Sequence, residues 1–199
     1  AASYPSFTFD LPQAHDVFPP TANTSAVDSD GNAVVLNVTG DNLGTSGEVR
    51  LYTDPAGSDG GSTFVVLPVG AWTHEWVACE LLPGYGINRR IVLEVAGQTT
   101  TDDVRFDFAA PEILSLTPDT SSFDLKSARF PTHGGYEVSI AGNSFGTTAG
   151  AVTVAGAPAT LVSQTHNLIV FTMPAGIGRD LRVVVKVGAS SESVNLNLP

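Results

Sequence analysis

The chain has 199 residues, 42% of them hydrophobic and 15% charged, enough for one large domain or two of ordinary size with packed cores, and too apolar for a disordered chain. Its net charge of −11 repels phosphate backbones and anionic membrane surfaces and argues against binding to either. A single cysteine, Cys79, excludes an internal disulfide and a cysteine-based zinc site.

Strand signals dominate from one end to the other. Short segments rich in Val, Ile, Leu, Phe and Thr, each bounded by Gly, Pro, Asn, Asp or Ser, predict strands over 4–11, 33–39, 48–52, 63–69, 75–82, 89–96 and 103–108. A second set follows over 111–117, 136–142, 151–155, 160–163, 167–173, 180–187 and 192–198. Only "FDLKSARF", 123–130, suggests a helical turn. About seven strands per roughly 100 residues, met twice, predicts an all-β chain of two immunoglobulin-like sandwiches. No apolar run is long enough for a membrane span, and the first residues, "AASYPSFTFD", lack the pattern of a signal peptide.

The two sets are copies of one pattern. "PSFTFDLP" parallels "PEILSLTP" with the same spacing between prolines, Pro5 to Pro12 and Pro111 to Pro118. "VVLNVTGDNLG" parallels "YEVSIAGNSFG": with Gly40 on Gly142, Val34, Leu36 and Val38 fall on Tyr136, Val138 and Ile140, the inward positions of a half-buried strand. "LLPGYGINRRIVLEVAG" parallels "TMPAGIGRDLRVVVKVG", but with Pro83 on Pro174 the alternation is out of phase. Repeat one then buries Ile91, Leu93 and Val95, and repeat two buries Leu181, Val183, Val185 and Val187. A turn one residue shorter after Pro83, or a bulge, would reconcile them. Repeat one carries a longer middle stretch, "TDPAGSDGGSTFVVLPVGAW", read as a loop with an additional edge strand. The boundary is expected at Ala109–Ala110, giving domains 1–109 and 110–199. Charge divides there too. Residues 1–109 hold 14 acidic and 4 basic side chains, giving −10; residues 110–199 hold 6 and 5, giving −1.

Pro-x-Ile at the start, a Gly-Gly before the second strand, "IAGNSFG", "VTVAG" and "IVFTMPAGIG" with a Val-rich strand give residues 111–199 a resemblance to the IPT/TIG domain. This is the immunoglobulin-like fold of plexins and Rel-type transcription factors. Residues 4–109 resemble it more loosely, at "VTGDNLG" and "CELLPGYG", and depart at the missing Gly-Gly and the long middle stretch. The resemblance implies a non-catalytic module in an extracellular or cell-surface setting, part of a longer chain, that contacts other proteins or further copies of similar domains. Cys79 stands where extracellular members often carry a cysteine, but the usual partner is absent and that disulfide does not carry over.

Within the copied turn, Gly142 and Gly146 flank Asn143 and Ser144, and need close approach or positive φ. Phe145 is expected to fold over the sandwich end. Catalytic signals are missing: His15, His74, His133 and His166 are far apart, "GTSGE" is no nucleophile elbow, and "PGYGINR" and "PAGIGRD" are turns rather than nucleotide loops. Cys79, in an apolar strand, reads as a buried inert thiol. No cofactor is expected. The acidic set Asp102, Asp103 and Asp107 at the junction is a candidate calcium site against the plainer reading of a solvated face, and "DSDGN", 28–32, lacks the spacing of a calcium loop. Two sequons make Asn23 and Asn37 candidate N-glycosylation sites, and Asn37, between Leu36 and Val38, is expected to point outward.

The leading functional expectation is therefore an adhesive or structural module acting through its edge strands. An accessory carbohydrate-binding module, with Trp72, Trp76 and Tyr85 as a sugar platform, is the alternative. DNA binding is disfavoured, because the arginines form no run beyond Arg89-Arg90.

Overall fold

The computed structural model describes residues 8–53, 63–118, 131–148, 150–188, 191–192 and 196–197. Its strands in chain order are β1 (Gln13–Phe18), β2 (Thr21–Ala22), β3 (Val35–Asp41), β4 (Glu48–Tyr52), β5 (Phe64–Leu67), β6 (Val69–Trp72), β7 (Trp76–Glu80), β8 (Arg89–Val95) and β9 (Gln98–Thr99). They continue with β10 (Arg105–Phe108), β11 (Glu112–Pro118), β12 (Glu137–Asn143), β13 (Gly150–Val154), β14 (Ala157–Gln164), β15 (Leu168–Thr172), β16 (Arg182–Val187), β17 (Ser191–Glu192) and β18 (Leu196–Asn197). The fold is all-β, as the alternation predicted. The expected turn at 123–130 lies outside the described residues.

The chain divides into two compact units. Unit 1 holds the segment up to Pro20, Ala33–Leu81 and Asn88–Phe106; unit 2 holds Thr21–Asn32, Leu82–Ile87 and the chain from Asp107 onward.

In unit 1, one sheet runs β1-β3-β7-β6 and the other carries β8, β4 and β5 in that order, with β9 and the start of β10 on β8. Alternate positions of β3, β4 and β7 face inward. Leu36 and Val38 on β3 pair with Cys79 and Val77 on β7, while Val49 and Leu51 on β4 pair with Leu93 and Ile91 on β8. All eight are essentially inaccessible to solvent and form the core.

In unit 2 the strands follow the order β11-β12-β15-β14-β13-β16-β17, with β18 also on β16. β14 changes partner along its length: Ala157–Ala159 pair with β13, and beyond them Thr160–Gln164 pair with β15 across a bulge after Leu161. The core gathers Val138, Ile140, Phe145, Ile169, Phe171 and Val185. The N-terminal segments of this unit are tied to it by named contacts. Asp107 and Phe108 pair in parallel with Thr21 and Ala22. The buried Thr24 hydroxyl accepts the Gly146 N–H at 3.1 Å and lies 2.9 Å from His166 Nδ1. Tyr85 packs on the core, close to Gly146 and Gly188.

The repeat is present, with a correction to the register of its first strand. The strand expected over 4–11 is absent from its described part, 8–11. Residues 1–7 lie outside the described set, Phe9 and Leu11 are exposed outside any strand, and β1 begins at Gln13. Ala14 opposes Gly40 as Ile113 opposes Gly142, and a bulge follows each, before Asp16 and before Ser115. The prolines equivalent to Pro111 and Pro118 are thus Pro12 and Pro19, not Pro5 and Pro12, since both pairs share one spacing.

The phase conflict also disappears. Leu36 pairs with Cys79 where Val138 pairs with Phe171, which makes Leu81 equivalent to Met173. Ile91 lies ten residues beyond Leu81, and Val183 ten beyond Met173. The connection between the strands keeps its length, and the turn counted from Pro83 to Ile91 is one residue shorter than from Pro174 to Val183, one of the two expected explanations; no bulge is needed. Pro83 and Gly97 are each one place later in the strand frame than Pro174 and Gly188, so alignment on them shifted the faces. The middle stretch does hold an additional edge strand: β5 pairs with β4 and β6 with β7, both at sheet edges, dividing at Pro68 the role that β14 fills alone.

Candidate functional site

Both units close the end of the sandwich with the same turn. In unit 1 the sequence Gly40-Asp-Asn-Leu-Gly places Asn42 at φ 58° and Gly44 at φ 66°; in unit 2 Ser144 is at φ 58° and Gly146 at φ 70°. Leu43 and Phe145 fold inward and are fully buried, and each donates its N–H to a histidine carbonyl, Leu43 to His74 and Phe145 to His166, both at 3.0 Å. The carbonyls of Leu43 and Phe145 themselves are each held by a long side chain: Trp72 Nε1 donates to Leu43 O at 2.7 Å, and Gln164 Nε2 to Phe145 O at 2.6 Å. The stretches "WTHEW" and "QTHNL" are one turn used twice, with Thr73 and Thr165 Oγ1 each donating to the carbonyl three residues on. A search of the sequence for Thr-His pairs would have found this.

Residues 111–198 match the family described as the IPT/TIG domain. That segment is an IPT/TIG domain. Unit 1 repeats the domain's strand pairing, bulge and closing turn. A comparison with curated proteins found no sequence match. Among solved structures, the surface glycan-binding protein PbSGBP-B from Prevotella bryantii is 18% identical, with a TM-score of 0.46 over 95% of this chain and 42% of that one. SGBP-B from a complex xyloglucan utilization locus in Bacteroides uniformis is 17% identical, at 0.35 over 96% and 50%. The plexin A4 extracellular region, domains 1 to 8, is 19% identical, at 0.35 over 94% and 18%. This chain thus spans half or less of each of those proteins.

Around this scaffold the candidate residues scatter. Trp72, on β6, opposes the inward Val77 and is half-buried, while Trp76, on β7, is exposed on the other face of that sheet. Tyr85 is committed to the core of unit 2. Trp72 and Trp76 do not share the surface that the alternative sugar platform needs, because the turn "THE" separates them and the alternation restarts after it.

The acidic residues are occupied. Asp102 Oδ2 accepts the Ala14 N–H at 2.8 Å, Asp103 pairs with Arg105, and Asp107 belongs to unit 2. Asp28 closes its own loop, accepting the N–H groups of Asp30 and Asn32, and the Asn32 N–H in particular holds its carboxyl below the usual range. Among the described residues no group of three or more His, Cys, Asp or Glu is placed to hold a metal ion.

The only Arg-Arg run is spent inside unit 1. Arg89 is buried and donates to Thr53 O, and Arg90 donates to Thr101 O at 3.1 Å. His15 pairs with Asp41 at 2.9 Å. Cys79 is buried, its Sγ 3.7 Å from Leu36 O, and burial pushes its thiol up to about 12. A thiol that stays protonated and covered is a poor nucleophile. Ellman's reagent is therefore expected to leave the native chain unmodified at pH 8 and to titrate one thiol in denaturant; rapid modification of native protein would contradict the packing.

The sequon residues differ. Asn37 is exposed on β3. Asn23 is half-buried, its Oδ1 accepting the Ser25 N–H and Oγ–H and its Nδ2 donating to Val27 O, so its side chain closes the loop.

One outward face combines apolar, aromatic and cationic groups. On β4 and β5, Tyr52 opposes Phe64 and Arg50 opposes Val66. The Arg50 guanidinium lies 4.8 Å from the Phe64 ring centroid and is held by Glu48 and Glu94. Phe64 and Tyr52 meet at 5.5 Å. Among the described strands β5 pairs only with β4, at the end of its sheet, with Phe64 and Val66 exposed.

Proposed function

We propose that the chain is a non-catalytic extracellular module that makes protein–protein contacts with further copies of similar domains, as part of a larger cell-surface or secreted protein. The observation that supports this best is the β5 edge. Among the described strands its outer side is unpaired, beside the apolar pair Phe64 and Val66, backed by Arg50 and Tyr52. An edge of this kind recruits a strand from a partner unless it is blunted by charge or proline. Pro68 ends the edge, and the charge of Arg50 is neutralised by two carboxylates.

Beads coated with the chain, expressed without glycans in a bacterial host, are expected to cluster. Clustering should strengthen from 20 to 150 mM salt, because each copy carries −11 and screening removes the repulsion. The double variant Phe64→Asp, Val66→Asp should abolish clustering while leaving the fold intact, since both side chains face solvent. Beads that stay dispersed at every salt concentration, or clusters unaffected by the double variant, would overturn the reading.

A further inference from the structure

The outward face of the β1-β3-β7-β6 sheet carries a second, different arrangement. Asn37 and Thr39 are two apart on β3, so both point away from the core. They are the acceptor and the hydroxyl residue of one sequon. Across one side of β3, Phe18 on β1 opposes Asn37; across the other, Trp76 on β7 opposes Thr39. Phe18 is 71% exposed and Trp76 40% exposed. Strands one and three of this order are two spacings apart, roughly 10 Å. A group leaving from Asn37 therefore emerges beside one aromatic ring and diagonally across from another, with Val35, 49% exposed, on the same strand face.

We propose that Asn37 carries an N-linked glycan whose first sugars lie on this face, seated between Phe18 and Trp76. The proposal rests on the extracellular setting proposed above. The chemistry is a group transfer from a lipid-pyrophosphate-linked oligosaccharide. The Asn37 Nδ2 forms a bond to the anomeric carbon, the bond from that carbon to the pyrophosphate oxygen breaks, the lipid pyrophosphate leaves with the electron pair, and the amide loses one proton. Pyranose rings present a face of C–H groups, which covers aromatic surface that would otherwise stay in water. Asn23 is the internal contrast. Its amide is engaged at both ends within residues 23–27, and its neighbours Thr24 and Ala26 are buried. A glycan at Asn37 would cover this sheet and leave the β4–β5 face of unit 1 open for contact.

The test is secretion of the full chain from a eukaryotic host, with intact mass and site mapping. Hexose and N-acetylhexosamine increments are expected on Asn37, lost in Asn37→Gln and unchanged in Asn23→Gln. The glycosylated chain should melt about 3 °C or more above Asn37→Gln, and the difference should fall below about 1 °C in a Phe18→Ser, Trp76→Ser background. Both aromatics are exposed, so that background is expected to fold. A secreted chain with Asn37 bare, or with sugar on Asn23 instead, would overturn the site. An equal melting difference in the double-serine background would overturn the seat. The host supplies the secretory route here and the bead assay uses unglycosylated protein, so the two readings fail separately.

Discussion

Replacing Phe145 with alanine is expected to destabilise unit 2 by about 3–5 kcal/mol, measured as a shift of the urea midpoint followed by circular dichroism. The ring is fully buried in the core of that unit. Its backbone is anchored separately, by His166 O at the N–H and Gln164 Nε2 at the carbonyl. The turn is therefore held in place when the ring is removed, and the surroundings have little freedom to collapse into the space. Phe145→Leu should cost much less, about 1 kcal/mol, because Leu43 fills the same position in unit 1 and is equally buried. A loss below about 1 kcal/mol for the alanine variant would mean that the ring is not packed as described. An effect of the expected size approaches the whole stability of an ordinary domain, about 5–15 kcal/mol.

The legible part of this fold was the part written in side-chain alternation. Leu36 and Val38, Val138 and Ile140, and Val183 and Val185 announce their buried faces, and each is buried. Errors came where punctuation was trusted above alternation. Proline and glycine mark turns, yet a turn tolerates a shift of one position that a strand does not. Pro83 and Gly97 moved within their loops while Ile91 and Leu93 kept their face. The first strand was misplaced for a related reason. "SFTFDL" alternates more cleanly than "QAHDVF", because a bulge after Ala14 interrupts the pattern in the true strand.

The surfaces were less legible. Nothing in the sequence says that Phe18 stands opposite Asn37, since cross-strand neighbours depend on register between distant segments. Nor could the two tryptophans be assigned to opposite faces without knowing that a turn falls between them. The staple role of Trp72 was hidden because its counterpart is a glutamine. The two share only a hydrogen-bond donor at the end of a long side chain.

Gly142→Ala is expected to cost about 3 kcal/mol, and Gly40→Ala a comparable amount. Conformational freedom is not the reason, since neither glycine has positive φ. The reason is the bulge. With Ile113 opposite Gly142 and the register slipping before Ser115, the Glu112 carbonyl is carried over the glycine Cα. A Cβ there would stand 2.0 Å from Glu112 O and 2.4 Å from the Phe145 ring. In unit 1 a Cβ on Gly40 would stand 2.1 Å from Gln13 O, beneath the equivalent bulge. Backbone cannot yield as a flexible side chain can, so β11 must separate from β12, or β1 from β3. Gly156→Ala supplies the comparison. Its φ is +84°, yet a Cβ there meets nothing within 4 Å, so its cost is backbone strain alone, about 1 kcal/mol. Urea denaturation of the three variants separates the two causes. If Gly142→Ala costs no more than Gly156→Ala, the carbonyl does not cross the glycine, and the bulge that defines the first strand pair of both units is misplaced.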